Sequence, residues 1–422
     1  MSASRKLRVL GEPAYRRLFA GRTTSLIGDG IAPIALAFAV LGLTGSATDL
    51  GIVLAVHSVV LIALVLVGGV VADRISPRRA MLGADLTQTA TMGLIAALLL
   101  TGEAEIWHLA LLYGIDGAGT AFFNPASNAL VPQIVPERRL QEAIALLSFS
   151  RWAGKVAGPA LAGVLLALTS PGVALAVNAL TFAISAACLW GVRAPRAGRG
   201  GEEPNFLREL RHGWREFSSR DWLIAIVVSA AISNAIFYPA FQVLGPTIAN
   251  DSLGGSTAWA LIASLWGVGG LIGGVVALLI RPQRPLLVSE GFVLLLGLPL
   301  LLLAVPTSTA LIALGALVAG STVSLAEVLF DTVSAQHIPQ QALSRVTAYD
   351  WFGSLALEPL GLALIGPVAA AAGNSNTLWV AAAAITLCQA AVFLVPGVRR
   401  LETTATFDPT PTPPPRPVEA GD

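Results

Sequence analysis

The chain has 422 residues, of which 55% are hydrophobic and 12% are charged, and its mean hydropathy is +0.74. Because a soluble domain carries roughly 25% charged residues, this composition excludes a water-soluble fold. The formal net charge of +1 gives no sign of a nucleic-acid partner. A bilayer core about 30 Å thick needs about 20 apolar residues per helix, so the chain can hold about twelve spans.

Apolar runs mark these spans in chain order. The first six predicted spans are 20–43, 49–72, 80–101, 106–131, 143–169 and 172–193. The next six are 222–249, 256–280, 286–305, 309–333, 343–372 and 376–397. We expect the longest, 343–372, to be tilted, broken at Pro359 or Pro367, or partly outside the membrane. The sequence therefore predicts an all-α membrane protein with twelve transmembrane helices.

The basic residues indicate the orientation of the spans. Of the 26 Lys and Arg residues, 24 fall in segments on the same side as the N-terminus, and the other two, Arg151 and Lys155, lie within the fifth span. The positive-inside rule then predicts that both termini are cytoplasmic. The N-terminus is basic and polar before the first span, so we expect no cleavable signal peptide. The many spans lead us to expect a multi-pass protein of a bacterial cytoplasmic membrane.

An internal repeat divides the chain. The segment 68–72, with sequence GGVVA, recurs at 273–277, and 133–136 resembles 336–339 at nearly the same offset. Copies of six helices share one orientation, so we expect two pseudo-symmetric six-helix bundles. The predicted organisation is an N-terminal bundle (1–193), a cytoplasmic linker (194–221), a C-terminal bundle (222–397) and a disordered Pro-rich tail (398–422).

Two smaller features fall outside this division. In the linker, Phe206, Leu210, Trp214 and Phe217 recur at helical spacing among arginines. This pattern suits an amphipathic helix on an anionic membrane surface, although a solvated linker helix fits it equally. The cysteines, Cys188 and Cys388, lie inside the sixth and twelfth spans, and we interpret them as apolar filler rather than as a disulfide or metal site.

The loop after the second span carries a family resemblance. Its sequence from Gly69 to Arg79, GVVADRISPRR, resembles the signature loop of the major facilitator superfamily, G-x-x-x-D-R-x-G-R-R, with Ser76 and Pro77 as departures. The resemblance implies a conformational latch that holds the two halves together in the outward-facing state. Its residues would be Gly69, Asp73, Arg74, Arg78 and Arg79. The alternative is a positive-inside loop without a latch. The second copy has Leu278 and Leu279 in place of the Asp-Arg pair.

The fifth span carries a second resemblance to the same superfamily. The segment with Gly154, Gly158, Pro159 and Gly163 resembles the antiporter motif of its exporters, G-P-x-x-G-G, except that Ala162 replaces one glycine. Small residues allow close helix packing and proline bends a helix, so this segment is a candidate pivot, with ordinary small-residue packing as the alternative.

Details of the first and fourth spans resemble one branch of the superfamily. The fourth span lacks the arginine found in many members, so proton coupling through that arginine is excluded. The pairs Asn124-Pro125 and Gly28-Asp29 are most similar to the macrolide-efflux and enterobactin-exporter branch, whose members are drug:proton antiporters. This resemblance implies export rather than import.

Ionisable side chains inside the spans cost on the order of 2.5 to 3.5 kcal/mol each, so each calls for a function or a partner. The candidates for proton coupling or substrate binding are Asp29, Asp116, Arg151, Lys155, Glu327 and Glu358. The superfamily fold implies that such charges lie only on helices around the central cavity. A buried carboxyl group can load and release a proton near neutral pH, which makes Asp29 the leading candidate, with a structural hydrogen bond as the alternative.

Other embedded groups are given weaker roles. Glu358 is a candidate ion-pair partner of Arg151 or Lys155, and His57 is interpreted as an interhelical hydrogen-bond donor. Asp331 and Asp350 lie near the predicted cytoplasmic ends, where capping or latch contacts compete with transport. Aromatic residues that could line a cavity for an amphiphilic substrate, or serve only in packing, are Phe122, Phe123, Trp152, Phe237, Tyr238, Phe241 and Trp266.

The expected function is secondary active export by alternating access, in which protons are exchanged for a small amphipathic compound. Embedded carboxylates outnumber embedded bases, which favours cationic or zwitterionic cargo. The chain has no Walker loop and no nucleophile or metal-ligand constellation, so we expect no enzyme activity, no metal and no cofactor, with the proton gradient as the driving force. The expected partners are the lipid bilayer and a small-molecule substrate, and the expected state is a monomer. An importer of the same fold and a non-transporting membrane sensor are the alternatives.

Overall fold

The computed structural model describes residues 8–74, 76–192, 213–306 and 308–402, without the side chains of 66–74, 340, 341 and 344. The regular elements within these ranges are helices, and none is a strand. In the first half they are α1 (Pro13–Thr44), α2 (Ala47–Arg74), α3 (Pro77–Thr101), α4 (Ile106–Ile134), α5 (Leu140–Leu168) and α6 (Pro171–Trp190). In the second half they are α7 (Asp221–Leu253), α8 (Ser256–Leu279), α9 (Pro285–Ala304), α10 (Thr309–His337), α11a (Gln340–Leu355), α11b (Glu358–Ala372), α12 (Asn374–Val392) and α13 (Pro396–Arg400).

Ten of these helical segments are long and apolar enough to cross a membrane. Helices α4 and α5, at 29 residues each, match the fourth and fifth predicted spans but are not among the ten. They carry the embedded charges Asp116, Arg151 and Lys155, which lower their hydropathy. The all-α membrane fold is thus confirmed, whereas the number of crossings and the cytoplasmic termini stay predictions.

Proline and glycine set the ends of several helices. Pro77 and Pro171 occupy the first turns of α3 and α6, where a missing backbone N–H costs no hydrogen bond. Gly45 and Gly102 end α1 and α3 in the left-handed conformation, at φ 66° and 78°, which residues with a side chain rarely adopt. These residues explain why the connections after α1 and α3 turn so sharply.

The eleventh span is broken before Pro359, which is one of the alternatives that the sequence left open for this overlong run. Segment α11a ends at Leu355 and α11b begins at Glu358, with Pro359 in its first turn. Proline lacks the N–H that would continue the helical ladder and clashes with the preceding turn, so the break falls just before it. Pro367 lies inside α11b without ending it.

Helix packing follows the internal repeat. Within the first half, α1 packs on α5 and α6, and α2 and α3 pack on α4. Within the second half, α7 packs on both parts of α11 and on α12, and α8 packs on α10. The main contacts between halves are α2 with α11b and α5 with α8, which the repeat makes equivalent. This packing suits two bundles, although the predicted domain boundaries stay a prediction because 193–212 lie outside the described residues.

The hydrophobic core shows where the described parts of the two halves share buried residues. One cluster of buried residues contains members of both halves, including Leu36, Leu50 and Leu362. At the opposite end, where residues 8 and 402 lie, each half has its own cluster, around Met81 in the first and around Val333 in the second. Among the described residues, the halves therefore share no buried hydrophobic cluster at the end that the sequence predicts to be cytoplasmic.

Only the last part of the predicted linker helix is described. Residues 213–218 are helical, and the rings of Trp214 and Phe217 lie 5.5 and 6.0 Å from the ring of Tyr349 on α11a. Phe206 and Leu210 fall outside the described residues, as does the tail from 403 onward. The described end of the linker is thus packed against the second half.

Candidate functional site

A histidine–carboxylate contact lies between α2 and α4. The Nε2 atom of His57 is 3.5 Å from Oδ2 of Asp116, and the ring of Tyr113 stacks on the imidazole at 4.2 Å. Asp116 is 5% exposed, and its Oδ1 atom has no hydrogen-bond partner among the described residues. The helices approach closely because Gly117 places no side chain against the backbone of His57. His57 therefore contacts Asp116 across the interface of α2 and α4.

Asp29 on α1 lies near this pair. Asp29 is exposed, and the charged or titratable groups that act on its carboxylate electrostatically are Arg22, His57 and Asp116. Among the sequence candidates, the structure thus brings Asp29 and Asp116 together.

Arg22 supplies the positive charge of this cluster. Its Nη2 atom donates a hydrogen bond to Oδ1 of Asn124 at 2.9 Å, and its guanidinium lies 4.5 Å from the ring centre of Phe123. Arg22 is one of the 24 basic residues that the sequence assigns to the side of the N-terminus. The signal that could have identified it is its spacing of seven residues from Asp29, which places both on one face of α1.

Two bases on α5 face the second half. Arg151 and Lys155 are exposed, and the Nζ atom of Lys155 lies 4.3 Å from the ring centre of Trp152. Glu327 on α10 acts electrostatically on Lys155, although the described residues contain no ion pair between them. The arrangement sets a basic face of the first half against an acidic face of the second.

Glu358 does not have the partner that the sequence suggested. No ion pair joins it to Arg151 or Lys155 in the described part of the chain, and the histidine that acts on it electrostatically is His57. Glu358 begins α11b directly before Pro359, so its position is set by the break in the eleventh span. The second-half carboxylate therefore faces the His57–Asp116 pair across the space between the halves.

The antiporter-like segment of α5 packs beside Asp29. A side chain at Gly154 would collide with the backbone of α1 at Leu26, and one at Gly158 would collide with it at Gly30. Further along α5, Gly163 lies against Ala260 of α8 in the other half. The small residues thus allow α5 to contact both the helix that carries Asp29 and the opposite bundle.

The aromatic candidates divide into two groups. Phe237 and Phe123 are 1% and 2% exposed, so they belong to the packed interior. Tyr238 and Trp266 are half-buried, and their ring centres are 6.4 Å apart. Phe241 on α7 packs against Trp266 on α8. Trp152 and Phe122 are also half-buried. The half-buried rings remain the candidates for contact with a substrate.

The latch is described only in part. Gly69, Asp73 and Arg74 lie at the end of α2, but their side chains are outside the described residues, so the latch stays a prediction. Arg78 donates hydrogen bonds from Nε and Nη2 to the carbonyls of Leu189 and Trp190, at 2.9 and 2.6 Å. Arg79 is exposed. Arg78 therefore caps the end of α6 within its own half.

The expectation that embedded charges lie only on cavity-lining helices is wrong. Asp85 on α3 is fully buried, and neither of its carboxylate oxygens has a hydrogen-bond partner among the described residues. Glu290 on α9 is 6% exposed. The groups that act on Asp85 include Ser185 of α6 and Arg22 of α1. A helix outside the cavity can bury an acid because its inner face meets polar groups of its own bundle.

Known proteins resemble the chain over most of its length. The model of the Major Facilitator Superfamily matches residues 18–357. Macrolide efflux protein A of Streptococcus pyogenes is 26% identical over 290 residues, which are 68% of this chain and 71% of that protein. Multidrug efflux pump Tap of Mycolicibacterium fortuitum is 26% identical over 405 residues, which are 92% of this chain and 97% of that protein.

Solved structures share the fold at low sequence identity. Nucleoside transporter NupG superposes with a TM-score of 0.74 at 12% identity and covers 92% of this chain and 100% of its own. A bacterial homologue of the human lysosomal transporter Spinster, inward-facing and unoccupied, superposes with a TM-score of 0.71 at 13% identity over 94% of this chain and 98% of its own. The chain therefore belongs to the Major Facilitator Superfamily and is a multi-pass transporter of the cell membrane, not an enzyme.

Proposed function

We propose that the chain is a proton-coupled exporter of small amphipathic compounds in the cytoplasmic membrane of a bacterium. The observation that carries the proposal is the gathering of titratable groups from both halves around one space. Asp29, His57 and Asp116 come from the first half, and Glu327 and Glu358 come from the second. A carboxylate can bind either a proton or a cationic group of a cargo, so protons and cargo can compete for the same groups.

The shape of the core supports alternating access. Among the described residues, the halves share a buried cluster at one end and have separate clusters at the other, which favours access of a cargo to Asp29 from the end predicted to be cytoplasmic. Release on the opposite side then requires the separated ends to close and the shared core to part. In an antiporter, protons arriving from outside displace the cargo from the carboxylates before the halves return.

The residues around the space between the halves indicate the nature of the cargo. Carboxylates outnumber bases, and half-buried rings such as Tyr238 and Trp266 offer faces to an apolar body or a cation. This combination suits cationic or zwitterionic amphiphiles. The efflux functions named for the two relatives support export rather than import.

Expression in an efflux-deficient host tests the proposal. We expect wild type to lower the accumulation of at least one compound in a panel of macrolides, cationic dyes and siderophores. Asp29→Asn and Asp116→Asn should each lose about tenfold or more of this effect, a loss within the range for a group that transfers protons. Asp251→Asn is the matched control, because Asp251 is exposed beside the α7–α8 connection.

The same variants in everted vesicles separate the alternatives. Addition of the exported compound should release protons from wild-type vesicles, and the Asp29→Asn vesicles should release none. If wild type raises accumulation, the chain is an importer, and if no compound moves in either direction, a sensor function replaces transport. Normal export by Asp29→Asn at every pH would show that Asp29 carries no proton.

A further inference from the structure

An apolar groove runs along the outer surface of the first half, away from the space between the halves. It has a volume of about 480 Å³ and lies between α3 and α6. Its lining residues are Leu82, Leu86, Ala183, Ala186, Ala187 and Trp190. Three alanines on one face of α6 leave the space open, and two leucines one turn apart on α3 form the opposite wall. The groove faces the hydrocarbon region, where an empty apolar channel would lose its dispersion contacts.

Positive charge surrounds the end of this groove. Trp190, the last residue of α6, is 70% exposed there. Arg79 is exposed and precedes Leu86 by seven residues, so both side chains lie on the same face of α3. Arg78 and Arg17 donate to the carbonyls of Trp190 and Gly191.

These arginines have no acidic partner. None of the three forms an ion pair with another described residue. Two of them satisfy the carbonyls at the end of α6, whereas no described group accepts a hydrogen bond from the side chain of Arg79. The guanidinium of Arg79 is therefore the group available to an anion from outside the chain.

We propose that this groove binds one anionic phospholipid, with an acyl chain between α3 and α6 and the phosphate against Arg79. The apolar lining matches an acyl chain, and arginine matches a phosphate group in charge and geometry. Anionic lipids are enriched in the cytoplasmic leaflet, and this end of the groove is the one that the sequence predicts to be cytoplasmic. The lining of the groove is distinct from the site around Asp29, whereas Arg79 is also one of the predicted latch residues.

Native mass spectrometry of the purified full chain tests this site. The protein is equilibrated with equal amounts of phosphatidylglycerol and phosphatidylcholine, and the retained lipid is identified. We expect wild type to retain phosphatidylglycerol in preference. Arg79→Gln should lower that preference about fivefold, as expected for one basic contact at a membrane surface, and Arg79→Lys should keep most of it. Ala187→Trp fills the groove and should lower the retention of both lipids.

Two variants serve as matched controls. Arg400→Gln removes one exposed charge at the same end of the second half, and Ala383→Trp adds the same bulk to the outer face of α12. Both should behave as wild type, and thermal unfolding confirms that all variants fold. Equal retention of the two lipids by wild type, or equal loss in Arg79→Gln and Arg400→Gln, would overturn the proposal. A dimer that Ala187→Trp dissociates would show instead that a second copy covers the groove.

Discussion

The contact between His57 and Asp116 is the part of the site that a single substitution tests most directly. Removal of the imidazole leaves the buried Asp116 carboxyl group without its contact on α2, so His57→Phe should lower both transport and thermal stability. Adding Asp116→Asn should restore part of the stability, with a coupling energy of about 0.5 to 3 kcal/mol for residues in contact. A double-mutant cycle on thermal unfolding measures this energy. As a control, the effects of His108→Phe, near the start of α4, and Asp116→Asn on stability should be additive. If the effects of His57→Phe and Asp116→Asn are additive too, the pairing is contradicted.

A second prediction about a single residue concerns Arg22. Its charge acts on Asp29 and on Asp85, and the hydrogen bond to Asn124 holds it in place. We expect Arg22→Gln to lower the initial rate of efflux at least tenfold at normal expression, and Arg22→Lys to retain part of it. Arg16→Gln removes an exposed charge from the same helix and should have no such effect. Equal rates for the two glutamine variants would assign Arg22 to orientation in the membrane alone.

The sequence identified some of these residues and not others for physical reasons. Asp29 could be predicted because an ionisable group inside an apolar run calls for a partner wherever it lies. The pairing of His57 with Asp116 could not, because it depends on how α2 packs on α4. Asp85 was missed because Thr87 and Gln88 follow it closely, so its neighbourhood is already polar.

At the scale of helices, small residues allow the close contact of α5 with α1. Gly158 faces the backbone of α1 at Gly30, so Gly158→Val would push the two helices apart. We expect this variant to lose transport and to unfold at a temperature several degrees lower, as for an overpacking cost of about 1 to 3 kcal/mol.

Gly83→Val is the matched control for the helical propensity of valine. Gly83 is also inside a helix, α3, but a side chain there would meet no atom within 4 Å. Transport and unfolding temperature should therefore stay near those of wild type. If the two variants lose transport equally, close contact with α1 is not the reason that Gly158 matters.

Whole helices could be predicted more reliably than their irregularities. The break in the eleventh span was predicted because Pro359 cannot continue a helical ladder. The π-helical stretches of α7, at Ala240–Leu244 and Ala249–Leu253, have no signal in the apolar pattern, which is nearly continuous through both. They depend on how α7 packs among its neighbours.

The two halves together form a structure that is symmetric in packing and asymmetric in charge. The α2–α11b and α5–α8 contacts are equivalent under the internal repeat. The loop charges are not, because Leu278 and Leu279 stand where the first half has its Asp-Arg pair, and both leucines are more than three-quarters exposed. A latch built from the first loop alone would therefore stabilise one facing state of the transporter.

The α2–α11b contact allows a test of alternating access in the whole molecule. Gly366 of α11b lies against the backbone of Thr48 on α2, at the end where the halves share a core. Gly366→Leu would separate the halves there while leaving each bundle intact. If the halves move as rigid bodies, parting at this end should bring the opposite ends together. Gly291→Leu, on α9 of the same half, is the control, because a side chain at Gly291 would meet no atom within 4 Å.

Distances between spin labels measure both ends of the molecule at once. With the two native cysteines replaced by alanine, labels at Glu137→Cys and Gln336→Cys report on the open end, and labels at Glu103→Cys and Asp251→Cys report on the closed end. Gly366→Leu should shift the first distance to shorter values and the second to longer values, whereas Gly291→Leu should change neither. A longer distance at the closed end with an unchanged distance at the open end would mean that the ends move independently. The shared core would then be a fixed contact rather than one side of an alternating gate.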